Sequence, residues 1–243
     1  MTRICSSREE TRGNQLLAAL PKADLERWLE HLELVDLSLH QVLYTTAKAP
    51  EYVYFPTTAI VSLMYLTQEG STAEVAVVGN DGVVGISLLL GADSAATEAV
   101  VQSAGLALRV SARFVKDEIE HSSDVMKLVL RYTQAVLGQM AQTAVCNRYH
   151  SIDQQLCRRI LLGLDRLPCD ELDMTHELAA NLLGVRREGV TVAAHKLQEA
   201  GLIRYHRGHI TILDRERLEQ KTCECYAVAK KEYSRLLPVA MAH

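Results

Sequence analysis

The sequence predicts an α+β chain: an antiparallel β sandwich or jelly roll, then a long helix, then a winged helix-turn-helix. Three observations predict it. Six short β-rich runs crowd residues 41–110. Residues 123–150 carry apolar side chains at helical spacing. Residues 175–213 read as helix, glycine turn, helix and basic hairpin.

The bulk properties set the bounds. With 243 residues the chain has room for two domains with cores of their own. Apolar content of 48% and charged content of 23% are ordinary globular values. No apolar run approaches the roughly 20 residues that span a bilayer. The opening MTRICSSREETRGN is polar and has no apolar secretory core, so a cytoplasmic location and no membrane partner are expected. A net charge of −4 argues against a whole-molecule polyanion binder but permits a local basic face. Such a face exists: Gly184 to Leu213 holds five Lys and Arg against two Glu.

Residues 14–34 place Leu16, Leu17, Leu20, Leu25, Trp28, Leu29 and Leu32 at helical spacing, and Pro21 splits them into a short helix and a longer one. The β-rich runs follow: QVLYT, YVYF, AIVSLMYL, TAEVAVV, EAVVQ and LALRV. Ala49-Pro50, Glu69-Gly70, Asn80-Asp81-Gly82 and Gly91-Ala-Asp-Ser separate them. The run GNDGVVG (79–85) is neither a dinucleotide fingerprint nor a P-loop and reads as a turn at a roll corner. In the long helix Met126, Val129, Val136, Met140 and Thr143 trace a stripe, with Leu137 and Ala144 beside it, that serves as domain core or dimer seam. Ser151-Ile-Asp-Gln154 fits a capping box and starts a new helix after a direction change near His150. The tail RERLEQKTCECYAVAKKEYSRLLP reads as one charged amphipathic helix ending at Pro238. The resulting division is 14–122, 123–150, 151–217 and 218–243.

Residues 182–203, LLGVRREGVTVAAHKLQEAGLI, carry the functional signal. Thr175 caps the preceding helix, Gly184 fits the left-handed turn position, and Val190, Ala194 and Leu197 share an inward face. Arg186 and Arg187 stand in the opening turn of the second helix. Cations there oppose the helix dipole, a cost that a purely structural role does not explain. A recognition helix presents that turn to the major groove. Ile203–His206 and His209–Leu213 alternate apolar and polar residues around Arg207-Gly208, which gives a hairpin wing with His206, Arg207 and His209 at its tip. The wing is expected to grip phosphate.

These residues make the chain similar to the Crp/Fnr superfamily of bacterial transcription regulators over roughly residues 14–217. GVRREGVTVAAHKLQEAGLI resembles that family's G-x-S-R-E-x-x-x-R-x-L-x-x-L-x-x-x-x-L-I pattern. The resemblance implies an eight-stranded roll like a cyclic-nucleotide-binding domain, a homodimer on two-fold symmetric duplex DNA, RNA polymerase as a partner, and a small-molecule effector. It matches Arg187 and Glu188 to the base-reading pair. Arg bonds guanine bidentately and Glu accepts from cytosine N4. Thr175, Arg186, Thr191, Lys196, His206, Arg207 and His209 are then backbone-holding or supporting residues. The family's later arginine falls at Val192, so the half-site is expected to differ from the family's usual one.

The implied effector pocket, Gly85, Ile86, Ser87, Ala96 and Thr97, departs further. Cyclic-nucleotide binders carry Gly-Glu for the ribose and Arg-Ser/Thr for the phosphate. Here Ile86 follows Gly85, and Ala96 precedes Thr97. Without the arginine a phosphodiester loses its charge-assisted bonds, so ordinary cyclic AMP binding is not expected. These residues name no effector and no cofactor.

Other chemistries find little support. Six cysteines form no C-x-x-C pair, and in a cytosolic chain a disulfide framework is not expected. Iron–sulfur members of the family need clustered N-terminal cysteines, and only Cys5 lies there. His40, His121 and His150 could each ligate haem in principle, yet a lone histidine is usually surface or core. The Cys223-Glu-Cys225 pair is expected to point its thiols to different faces of one helix, a poor chelate within one chain. The main reading there is packed thiols, with a redox switch or an intersubunit metal site as the alternative. No metal ligand set is therefore assigned. Residues 41–110 hold no histidine or cysteine, and no nucleophile–base constellation is visible, so no enzyme and no catalytic residue is expected. The competing class is a small-molecule or redox sensor whose DNA binding is secondary.

Overall fold

The computed structural model describes residues 2–4, 8–46, 50–92, 94–167 and 170–237. Ala49, Asp93, Pro238 and two of the six cysteines, Cys5 and Cys169, lie outside the described residues. The expected α+β class holds. Strand β1 (Thr2–Ile4) is followed by helices α1 (Arg8–Thr11), α2 (Gln15–Ala18) and α3 (Lys22–Leu29). Asn14 caps α2, accepting from Leu16 and Leu17, and its amide donates to the carbonyls of Pro56 and Gly82. It thereby stitches the helical entry to the roll.

The roll comprises β1, β2 (Glu33–Leu37), β3 (Val42–Tyr44), β4 (Tyr52–Pro56), β5 (Ile60–Leu66), β6 (Thr72–Val78), the short helix α4 (Ile86–Leu89), β7 (Glu98–Ser103) and β8 (Gly105–Ser111). These eight strands form two antiparallel four-stranded sheets, ordered β1-β2-β8-β4 and β3-β7-β5-β6. The inward positions of β4 and β8, Val53, Phe55, Leu108 and Val110, pack with Trp28 and α2 to form one core. Besides the short elements β1, α1 and α4, two longer ones in this half were not foreseen. Leu32 and Leu34 keep an apolar rhythm after α3, yet β2 pairs with β8 across Glu33–Arg109, whose side chains form an ion pair of 2.8 Å. The other is α5 (Ala112–His121), capped by Ser111.

Helix α6 (Ser123–Tyr149) runs past the roll and ends at His150. The 79–85 turn lies beneath it. A Cβ on Gly82 would come within 2.4 Å of the Tyr132 hydroxyl, which donates to the Val83 carbonyl at 3.0 Å. The glycine is thus required by the close approach of Tyr132. The stripe expected of α6 is only partly free. Val136 is buried within the protomer, and Val129, Met140 and Thr143 are half-buried. The exposed apolar residues are Met126 of that stripe and, beside it, Leu130, Leu137 (61% exposed) and Val145.

Helix α7 (Ile152–Leu164) starts at the expected capping box of Ser151 and Gln154. After it come β9 (Glu171–Asp173), α8 (His176–Leu183), α9 (Arg187–Glu199), β10 (Ile203–His206) and β11 (His209–Ile212). The small sheet has the order β10-β11-β9. Its core is continuous with the roll, because Ile60, Met64 and Val77 join Ile160, Leu161, Ala180 and Leu197. Two buried ion pairs cross the same boundary: Arg159 Nε to Glu74 at 2.7 Å and Arg166 to Asp81 at 2.7 Å.

The tail corrects the single-helix expectation. It is two helices, α10 (Arg215–Lys221) and α11 (Glu224–Leu236), broken at Thr222–Cys223. Thr222 is extended and Cys223 occupies the N-cap position. The expectation that Cys223 and Cys225 diverge on one helix is overturned by this break, which leaves both sulfurs on the side of α6.

Candidate nucleic-acid interface

The local sequence builds this surface. Thr175 accepts from the Leu178 amide at 3.0 Å and caps α8, so its hydroxyl is committed to the fold. Gly184 takes φ +64° and ends α8, as the turn requires. Helix α9 buries Val190, Ala193, Ala194 and Leu197 against α7 and α8. That burial turns the remaining side chains outward: Arg186, Arg187, Glu188, Thr191, Val192, His195 and Lys196 are all exposed.

Their partners differ. Arg187 reaches Glu177 only at 3.9 Å, and both side chains are 66% exposed, so the pair is weak and easily exchanged. Thr191 donates to the Arg187 carbonyl at 3.0 Å and touches His176 Nδ1 at 3.0 Å. His176 stacks on Tyr205, tying α8 to the wing. Burial, followed by the Arg187 charge, lowers the His176 pKa, so the ring next to the recognition turn favours its neutral form. Lys196 is held by Asp153 at 2.9 Å.

The wing turn has Arg207 at φ +49° and Gly208 at φ +89°, the two left-handed positions of a type I′ hairpin. His206 and Arg207 stand exposed at its tip, whereas His209 is bound to Asp173. Among the described residues Arg186, Arg204 and Arg207 have no carboxylate partner. The sequence reading missed three members of the surface. Glu177 and His176 lie on α8, and His195, paired with Glu199 at 3.3 Å, lies two turns along from Arg187 on the same side of α9.

The second place the sequence singled out is a cavity of about 520 Å³ between the roll and α6. Ile86, Ser87, Ala96 and Thr97 line it, together with Met140 and Thr143 of α6. Gly85 is not among the lining residues. It caps α4 with φ +102°, and a Cβ there would stand 3.1 Å from Val53. The lining contains no Lys, Arg or His. Its one charged residue is Glu74, which Arg159 and Ser62 already engage. Tyr44 closes one side, hydrogen-bonded to Thr97, and burial pushes its phenol up to about 12. A neutral, mostly apolar molecule suits such a wall better than a phosphodiester.

The comparisons with known proteins agree with this geometry. Residues 154–221 match the family model of the Crp-like helix-turn-helix domain. The chain has the fold of the Crp/Fnr regulators. Three solved structures illustrate it. FixK2 of Bradyrhizobium japonicum superposes with a TM-score of 0.67 at 17% identity, covering 78% of this chain and 96% of that one. TTHB099, a CRP-family transcriptional regulator of Thermus thermophilus, gives 0.62 at 18%, covering 77% and 95%. CLP, the c-di-GMP-responsive global regulator of Xanthomonas campestris, gives 0.62 at 15%, covering 79% and 99%. No curated protein sequence matches the chain at a significant level. Among the described residues no helix is long and apolar enough to cross a membrane.

Proposed function

We propose that this Crp/Fnr-fold chain is a cytoplasmic, sequence-specific DNA-binding transcription regulator that binds a two-fold symmetric duplex site as a homodimer. The observation that carries the proposal is the exposed first turn of α9, whose cations lack firm partners, set beside the unpaired cations of the wing. Arg187 and Glu188 read base edges. Val192 is 55% exposed where the family pattern carries arginine, and it offers an apolar contact to a thymine methyl. Arg186, Thr191, Arg204, His206 and Arg207 hold phosphate, and Thr175 and Lys196 support the scaffold. His209 adds to the phosphate grip once Asp173 releases it.

The dimer seam is the exposed row of α6, where Leu130, Leu137 and Ala144 recur at heptad spacing. The roll takes a small apolar effector in the cavity beside α6. Glu74 both lines that cavity and holds Arg159 of α7, so an occupant that disturbs Glu74 acts directly on the DNA-binding domain. The output is recruitment or exclusion of RNA polymerase, with no enzymatic step.

The test is a random-sequence DNA selection on the reduced protein, repeated with Arg187→Ala. Enrichment of a two-fold symmetric site is expected, with Arg187→Ala losing about 1–3 kcal/mol of discrimination at one position per half-site. Equal losses on all sequences would reduce Arg187 to a phosphate contact. No enrichment, even with cell extract added, would favour a sensor whose DNA binding is secondary. Micromolar binding of cyclic AMP in calorimetry would overturn the reading of the cavity.

A further inference from the structure

At the junction of α6 and α7, four donor atoms converge from two distant segments. They are Cys146 and His150, one turn apart at the end of α6, and Cys223 and Cys225 at the start of α11. All four lie within 4.8 Å of one another. The three cysteines are buried and not disulfide-bonded. We propose that these residues form a tetrahedral Cys3His site for a thiophilic divalent cation of the zinc class.

The spacing supports coordination. An ion with sulfur at about 2.3 Å and nitrogen at about 2.0–2.1 Å holds neighbouring sulfurs about 3.8 Å apart, and sulfur and nitrogen about 3.6 Å apart. Here Cys146 Sγ and Cys223 Sγ are 3.6 Å apart, and Cys225 Sγ and His150 Nδ1 are 3.4 Å apart. A disulfide would need the sulfurs at about 2.05 Å.

The surroundings are those of a ligated cluster. His150 turns Nδ1 to the sulfurs and Nε2 to Glu224 at 3.3 Å. A carboxylate on the far ring nitrogen fixes the tautomer that leaves Nδ1 free to bind metal. Gln142 donates to Cys225 Sγ at 3.0 Å. Three thiolates with one divalent cation leave a net charge of −1. Arg158, 6% exposed, donates to Thr143 at 3.1 Å and has no carboxylate partner among the described residues. It lies near enough to Cys146 to interact electrostatically, and so supplies the balancing charge. The Cys223 sulfur at the N-cap makes no capping bond and is free to ligate.

Binding replaces the thiol protons with the metal and releases them to solvent, with no change of oxidation state. The bound ion would staple α11 to the α6–α7 corner.

The test uses the reduced full-length chain, stripped by a chelator and titrated with Co²⁺, then Zn²⁺. A single Co²⁺ per protomer is expected, with thiolate-to-cobalt absorption that Zn²⁺ abolishes. Cys225→Ser should lose the band, and Cys157→Ala, a buried thiol outside the cluster, should keep it. Glu224→Gln touches no ligand atom and should fold normally, yet weaken Zn²⁺ about 10-fold or more. Absence of the band in the native chain, its persistence in Cys225→Ser, or an unchanged Zn²⁺ affinity in Glu224→Gln would each overturn the site. So would a Cys146–Cys223 disulfide in metal-free protein as isolated.

Discussion

The first turn of α9 and the seam between the roll and α7 carry the same residue types in opposite states. On α9 the guanidinium of Arg187 is two-thirds exposed and shares Glu177 loosely at 3.9 Å. At the seam Arg159 and Arg166 are buried, and each meets one carboxylate at 2.7 Å. A charge left in water contributes almost nothing to stability and is free for a partner. A charge buried with its counter-ion costs desolvation that only an accurate geometry offsets, so it reports any displacement of the two bodies it joins. One set of cations is left open to a partner, and the other is closed by its own counter-ions.

Mutations sharpen this contrast. Arg166→Ala should have the largest effect. It leaves Asp81 without its cation and removes the bond to the Leu162 carbonyl, costing about 3–5 kcal/mol in urea unfolding. A loss below about 1 kcal/mol would mean that the seam behaves like an exposed surface. Glu74→Gln keeps the shape and removes the charge facing Arg159. A stability loss of about 2–3 kcal/mol is expected, together with altered coupling between cavity occupancy and DNA affinity. Unchanged coupling would remove Glu74 from the transmission path. Arg207→Ala, at the wing tip, should leave unfolding within about 0.5 kcal/mol of the parent. It should weaken binding alike on all DNA sequences and lower the salt slope by about 1.

The smallest effect is pH-linked. Arg27 and Trp28 hydrogen-bond the Glu118 carboxylate, and the Arg27 bond, followed by that of Trp28, outweighs burial and lowers its pKa. A depressed carboxylate pKa gives stability that is full above the unfolded value and is lost as the pH falls below about 4. Glu118→Gln should flatten that acid limb by less than about 1 kcal/mol, since Arg27 is half-exposed.

What was legible in the sequence was local. The α8–α9 turn, the wing and six of the eight roll strands announce themselves through Gly184, the Arg207-Gly208 turn and alternation within a few residues. Strand β2 was hidden because Leu32 and Leu34 extend the spacing of α3, and only pairing with β8 decides its state. The break at Thr222–Cys223 has no Gly or Pro to mark it. The Cys146–Cys223 contact joins residues 77 apart, which no window could see. On α6 the helical period was legible, but not which part of the stripe the protomer covers: Val136 joins the core, while Met126 and the neighbouring Leu137 stay exposed.

Helix α9 is seated hard on the beginning of α7. A Cβ at Gly189 would stand 2.7 Å from Ile152, and Lys196 grips Asp153 one residue further on. The recognition helix thus rests directly on the first turn of α7. In the proposed dimer its two copies must stand roughly 34 Å apart to enter successive major grooves. That gap behaves like the opening of a pair of callipers whose setting is clamped by the Arg159–Glu74 and Arg166–Asp81 pairs between α7 and the roll. Releasing either clamp would change that setting, and with it whether the points meet the grooves.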